Sequence, residues 1–129
     1  MECLSVDQRS AYEAKGYLLL ENRIPQEWLA KIRAEIARFE TEAALMTASN
    51  DRLDLEDSHT RDNPRLRRIK LPHTISDVFR ELMYSDYVLA PARDLIGPNL
   101  RLHTSKLNMK SAGYGAAVEW HQDLSLIHI

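Results

Sequence analysis

At 129 residues, 44% hydrophobic and 28% charged, the chain has the make-up of an ordinary globular domain or part of one. A formal net charge of −2 gives no electrostatic reason to expect nucleic acid or an anionic membrane as a partner, and no apolar run approaches the ~20 residues that cross a bilayer. The single cysteine, Cys3, excludes an internal disulfide framework, and Met1–Leu4 lacks the basic-then-apolar layout of a secretory leader, so the expected compartment is cytoplasmic.

Ser5 followed by Gln8 forms a capping box, which opens a short helix that Gly16 closes. Tyr17 to Leu20 is a compact apolar run and reads as a buried strand. Pro25 suits the first turn of a second helix. Along that helix Trp28, Leu29, Ile32, Ile36 and Phe39 recur at helical spacing as a core stripe, with Glu27/Lys31 and Lys31/Glu35 pairing on the outer side.

From about Thr47 to Arg68 the composition turns polar and acidic, with Asp51, Asp54, Glu56, Asp57 and Asp62 crowded together and Pro64 interrupting. The segment reads as a long solvated loop. His59 and His73 fall in loops and are expected to be solvated. Ser76 caps a helix carrying Val78, Phe79, Leu82 and Met83; Ser85 begins another, bent or broken near Pro91 and closed by Gly97-Pro98.

After Gly97 the texture becomes strand-like. From Leu100 to Lys110, residues Thr104, Lys106 and Asn108 fall on one side and His103, Ser105, Leu107 and Met109 on the other. The mixed polarity of both faces suits a strand lining a cleft or the inside of a barrel, with His103 in a core or an interface. Ser111–Gly115 is a loop, followed by a strand from Val118 to Asp123. Helices first and strands later argue for an α+β fold with a sheet only begun here.

Trp120-His121-Gln122-Asp123 carries the most chemistry. On an extended backbone His121 and Asp123 point to the same side and can offer an imidazole nitrogen and a carboxylate oxygen to one metal ion. That is two-thirds of the two-His, one-carboxylate facial triad of non-haem Fe(II) sites. The plain alternative is a hydrogen-bonded surface pair. Trp120 shares the ligand face as a packing residue, and Gln122 points away. His128 is too close in sequence to wrap back onto the same ion, so the third ligand is expected further downstream.

With these residues in view, the chain resembles the N-terminal half of a phytanoyl-CoA dioxygenase family protein. The likeness runs through Lys15-Gly16-Tyr17, the Ile24-Pro25 helix start, Val78-Phe79-Arg80-Glu81-Leu82, Leu95-Ile96-Gly97-Pro98 and the strand leading to Trp120-His121-Gln122-Asp123. The resemblance implies N-terminal helices plus the first strands of a double-stranded β-helix (jelly-roll, cupin-like) core, truncated here. It implies Fe(II) held by His121 and Asp123, with 2-oxoglutarate as cosubstrate and O2 as oxidant. The reaction it implies is hydroxylation of a small organic molecule, with release of succinate and CO2. For the cosubstrate it points to the polar strand. In one branch of the family a Gln and an Asn fall where Thr104 and Asn108 stand, Lys106 lies between them, and Arg68 of the Arg67-Arg68 cluster matches a cosubstrate-contacting Lys. The substrate and the oligomeric state are not implied.

Residues 1–123 are thus expected to form the N-terminal part of a single oxygenase domain. The last six, Leu124 to Ile129, can be encoded by CTG-TCT-CTT-ATA-CAC-ATC, the end sequence of a transposon used to prepare sequencing libraries, and are expected to be non-native. Sequencing the intact gene across the Asp123 codon should show a frame that continues differently; a natural stop after Ile129 would contradict this. As an isolated chain it is expected to be inactive. Two other function classes stay open: a non-enzymatic binding module with an incidental His-x-Asp, and a small metal protein that borrows ligands from a second subunit.

Overall fold

The computed structural model describes residues 3–120, so His121, Gln122, Asp123 and the 124–129 tail lie outside the described residues. Among the described residues the α+β fold comprises five helices and a three-stranded antiparallel sheet: α1 (Val6–Lys15), α2 (Gln26–Ala44), β1 (Leu53–Leu55), β2 (Leu66–Lys70), α3 (Pro72–Ile75), α4 (Asp77–Tyr84), α5 (Asp86–Ile96) and β3 (Lys106–Asn108). The strand order is β1-β2-β3. Among the described residues no helix is long and apolar enough to cross a membrane.

The capping box forms as expected. Gln8 N–H donates to Ser5 Oγ at 3.2 Å, and Ser5 N–H donates to Gln8 Oε1 at 2.9 Å. The helix closes at Gly16, whose φ of 78° lies where a side chain would be strained. The chain entering α1 is tied to the last turn of α5, where the Asp94 carboxylate accepts the backbone N–H groups of Cys3 and Leu4 at 2.5 and 2.7 Å. These bonds, that from Leu4 foremost, hold the Asp94 carboxyl below the usual range.

Tyr17–Leu20 is not a strand. It is irregular, with Tyr17 and Leu19 66% and 73% exposed. A strand needs a neighbour's backbone to pair with, and Tyr17–Leu20 pairs with none of the three strands of the sheet.

In α2 the stripe is confirmed at its C-terminal end. Phe39 and Ala43 are buried, Ile32 and Ile36 pack against the core, and Trp28 and Leu29 are only half-buried. The outer side pairs differently from expectation. Lys31 Nζ lies 4.8 Å from the centre of the Trp28 ring, and Glu35 takes a two-pronged bond from Arg38, at 2.6 and 3.1 Å. A planar guanidinium matches a carboxylate in a way an ammonium does not. That bond holds the Glu35 carboxyl below its usual range.

The largest departure lies in the acidic segment, which contains two strands. Leu53, Leu55, Leu66 and Ile69 are all buried and join Phe39, Ala43 and Phe79 in one core. Apart from Asp54 in β1, the acidic residues belong to the turns around the strands. Asn50 Oδ1 accepts the N–H groups of Arg52 and Leu53, both at 2.8 Å, and steers the chain into β1. Residues 47–52 and the connection from Glu56 to Arg65 are loop, and His59 within that connection is half-buried, not solvated. The N–H of Arg65 donates to His59 Nδ1 at 2.8 Å, so the ring proton sits on Nε2, 3.0 Å from the Met46 carbonyl oxygen.

β2 runs into α3 through Leu71, a left-handed residue with φ 46°. His73 belongs to α3, half-buried, with Nδ1 against Ser105 Oγ. Ser76 caps α4 through Phe79 N–H, as expected. Pro91 does not interrupt α5, which is continuous from Asp86 to Ile96. A proline removes the N–H that would bond the carbonyl four residues back, here Tyr87. Arg23 fills that place: its Nε donates to the Tyr87 carbonyl at 3.0 Å and its Nη2 to the Asp86 carbonyl at 2.6 Å. Arg23→Ala is expected to cost about 1–3 kcal/mol by orphaning the Tyr87 carbonyl, read as a lower melting temperature.

The last expected strands are shorter than the alternation suggests. β3 covers only Lys106–Asn108, extended by ladder bonds at Ser105 and Met109. Upstream of Ser105 the ladder ends, because β2 turns away into α3 at Leu71 and leaves nothing to pair with. Thr104 and His103 are therefore exposed and outside the sheet, so His103 is not a core residue. Leu107 and Met109 pack on the core side. Residues 116–120 form no strand, and Trp120 is fully exposed rather than packed.

Candidate functional site

Because Leu53, Ile69 and Leu107 turn inward, their neighbours in β1, β2 and β3 turn to the other face of the sheet. There Asp54, Arg68 and Asn108 stand opposite one another across the three strands, and Lys70 stands opposite Lys106. The flanking ladder bonds, Met109 N–H to Arg67 O at 2.9 Å and Leu71 N–H to Ser105 O at 3.1 Å, make both β2/β3 pairs the non-hydrogen-bonded kind. In such pairs the side chains come closest.

The contacts follow from that register. Arg68 Nε donates to Asn108 Oδ1 at 2.9 Å, and its Nη1 lies 3.6 Å from Asp54 Oδ2. Lys70 Nζ pairs with Asp54 Oδ1 at 2.9 Å. One carboxylate thus serves two cations, while two lysines face each other directly, an arrangement that is unfavourable on its own. Three cations against one carboxylate leave an excess of two positive charges on a small polar face.

A cavity of about 200 Å³ opens beside this row. Arg68, Asn108 and Lys110 line it from the sheet, and Ala116, Ala117 and Val118 line it from the segment that follows. That segment leaves the sheet through a tight turn in which Gly115 N–H donates to Ser111 O at 2.9 Å. A Cβ on Gly115 would meet the backbone N and O of Ser111 at 2.9 Å, so the turn requires glycine. Three residues beyond Val118 the chain reaches His121. Two larger hollows, of about 450 Å³ beside Leu4 and Leu19 and about 420 Å³ beside α4 and α5, lie away from this row.

Of the residues singled out from sequence, Arg68 and Asn108 are in direct contact, Lys106 is one register step away, and Thr104 stands apart before the ladder begins. His121 and Asp123 lie outside the described residues. Among the described residues no group of three or more His, Cys, Asp or Glu could hold a metal ion. Sequence reasoning missed Lys70 and Asp54. The signal was the two-residue step from Arg68 to Lys70, hidden because the segment up to Arg68 read as loop.

The family model for phytanoyl-CoA dioxygenase (PhyH) matches residues 12–129. A probable alpha-ketoglutarate-dependent hypophosphite dioxygenase of Stutzerimonas stutzeri is 33% identical over 117 residues, covering 91% of this chain and 41% of that protein. An ectoine dioxygenase of Bordetella parapertussis is 30% identical over 129 residues, covering 99% of this chain and 40% of the relative. The crystal structure of EctD from S. alaskensis with bound Fe has the same fold, with a TM-score of 0.83 at 24% identity over 99% of this chain and 43% of that one. The chain therefore spans about two-fifths of the length of these relatives.

Proposed function

The chain belongs to the phytanoyl-CoA dioxygenase family, and from that premise we propose that it carries part of the active site of an Fe(II)- and 2-oxoglutarate-dependent oxygenase. The reaction is hydroxylation of a small molecule by O2 with release of succinate and CO2. One relative is named for ectoine and another for hypophosphite, an inorganic anion, so the substrate is not confined to organic molecules. The three antiparallel strands are the start of a double-stranded β-helix, and residues 1–123 contribute to one oxygenase domain.

The observation that carries the reading is the Arg68–Asn108 pair on a face with two excess positive charges. 2-Oxoglutarate is a dianion of matching charge. Asn108 fixes the guanidinium through Nε, which leaves the Nη ends directed to Asp54 and to an incoming carboxylate. Lys70 and Lys106 add point charges that an anion relieves of their mutual repulsion. Thr104 sits at the margin of this group.

His121 and Asp123 are the proposed protein ligands of iron, two donors of the right chemistry two residues apart in the sequence. The donor types fit, and in sequence they follow closely on the cavity-lining Ala116–Val118. Bound there, Fe(II) supplies the activation of O2 and of the 2-oxo acid. This chain's residues do the rest: Arg68 and Asn108 orient the carboxylate, and the backbone of 116–118 closes one side of the cavity.

The full-length protein is expected to form succinate from 2-oxoglutarate only with Fe(II), and to stop when the metal is chelated. Failure to bind 2-oxoglutarate with Fe(II) or Mn(II) present would overturn the reading. With two ligands of the triad assigned, the 129-residue polypeptide alone is expected to form negligible succinate.

A further inference from the structure

Resting on the cosubstrate assignment above, we propose that Glu56 and Arg65, at the two ends of the β1–β2 connection, are positioning residues that set the wall of the cosubstrate cavity. Neither touches the cavity. Each grips the segment that does.

Glu56 is a carboxylate only 8% exposed, and its Oε1 accepts the N–H of Ala116 at 3.2 Å. The Arg65 guanidinium lies 4.1 Å from the centre of the Tyr114 ring, while its Nη1 donates to Ser58 Oγ at 2.8 Å. From β3's end, Lys110 Nζ donates to the Ala116 carbonyl. Both backbone polar groups of Ala116 are therefore claimed by side chains from elsewhere in the fold. Residues 116–120 have no strand partner to hold them, and a segment without a ladder must find its hydrogen bonds one by one.

The grip is itself anchored. Glu56 N–H donates to the Arg65 carbonyl at 3.0 Å, and His59 ties Arg65 N–H to the Met46 carbonyl at the end of α2. The connection is thus fixed to the helix that carries Phe39, and it transmits that position to Tyr114 and Ala116. The required glycine at 115 keeps the turn narrow enough for both grips to reach. Since Ala116–Val118 face Arg68 and Asn108 across the cavity and His121 follows three residues later, a displaced segment changes the cosubstrate's fit.

The test uses the full-length protein and the dissociation constant for 2-oxoglutarate, measured by calorimetry with Mn(II) and without O2, beside the melting temperature. Tyr114→Leu removes the ring from a side chain that is already 39% exposed, so the fold tolerates it; Glu56→Ala removes the acceptor. Both are expected to weaken 2-oxoglutarate binding by about tenfold, the size of one lost bond of this kind. Tyr114→Phe keeps the ring and Glu56→Gln keeps an acceptor oxygen, and both are expected to bind as the wild type does. The melting temperature of Tyr114→Leu is expected to stay unchanged. The proposal is overturned if Tyr114→Leu binds as tightly as wild type, or if affinity in all four variants merely follows the melting temperature. A wild-type protein that binds no 2-oxoglutarate overturns the cosubstrate reading and this proposal with it.

Discussion

Arg68→Ala is expected to weaken 2-oxoglutarate binding to the full-length protein by about a hundredfold, close to 3 kcal/mol, the upper end for hydrogen bonds to charged groups. The change removes one of three cations and leaves Asn108 Oδ1 without its 2.9 Å donor. Asp54 then pairs with Lys70 alone, so the local excess of positive charge falls by half. Arg68→Lys restores the charge but not the fork and is expected to recover only part of the affinity. Asn108→Ala should fall between these, because the guanidinium survives but loses its brace. Calorimetry with Mn(II) in the absence of O2 reads all three. Wild-type affinity in Arg68→Ala would remove Arg68 from the cosubstrate site.

Phe39→Ala is expected to destabilise the protein by about 3–5 kcal/mol, the cost of deleting a fully enclosed aromatic side chain. Phe39 is 0% exposed and sits where α2 meets Leu53, Ile69 and Phe79. Against a total stability of about 5–15 kcal/mol for a typical domain, that loss populates the unfolded state. Leu53→Ala is the informative companion. Leu53 is also 0% exposed, so about 2–5 kcal/mol should be lost, whereas a leucine in a solvated loop would cost almost nothing. Denaturant titration separates the two, and a negligible change at Leu53 would mean that β1 does not pack on the core.

That contrast marks the limit of reading the sequence directly. Helices were legible because their signals are local. Ser5 and Gln8 complete a cap within one turn, Ser76 does so for α4, and the Ile32–Ile36–Phe39 spacing declares a buried face without reference to anything else. Proline was legible only in part. Pro91 signals a lost backbone bond, but its consequence was decided by Arg23, 64 residues before the Tyr87 carbonyl that it bonds.

Strands were read poorly, for the converse reason. Tyr17–Leu20 looks like a buried strand and has no partner, whereas Leu53–Leu55, set among acidic residues, has one in β2. Averaged composition concealed a three-residue alternation. Thr104 and Lys106 sit two apart on one apparent face, yet only Lys106 is in the sheet, because β2 leaves it at Leu71.

The sequence by itself therefore determined the helices α1, α2 and α4 and the Ser5 and Ser76 caps, together with the pair His121 and Asp123 as the metal-ligand candidates, since each depends on residues close together in the chain, and it carried the family likeness through short motifs in a fixed order. Tertiary structure alone decided which residues stand beside one another across the sheet. Asp54, Arg68 and Asn108 come from three separated segments, and Lys70 enters their face only once β2 is recognised as a strand. Register is a relation between strands, set by which side chains the core can bury, and no window along a single strand contains it.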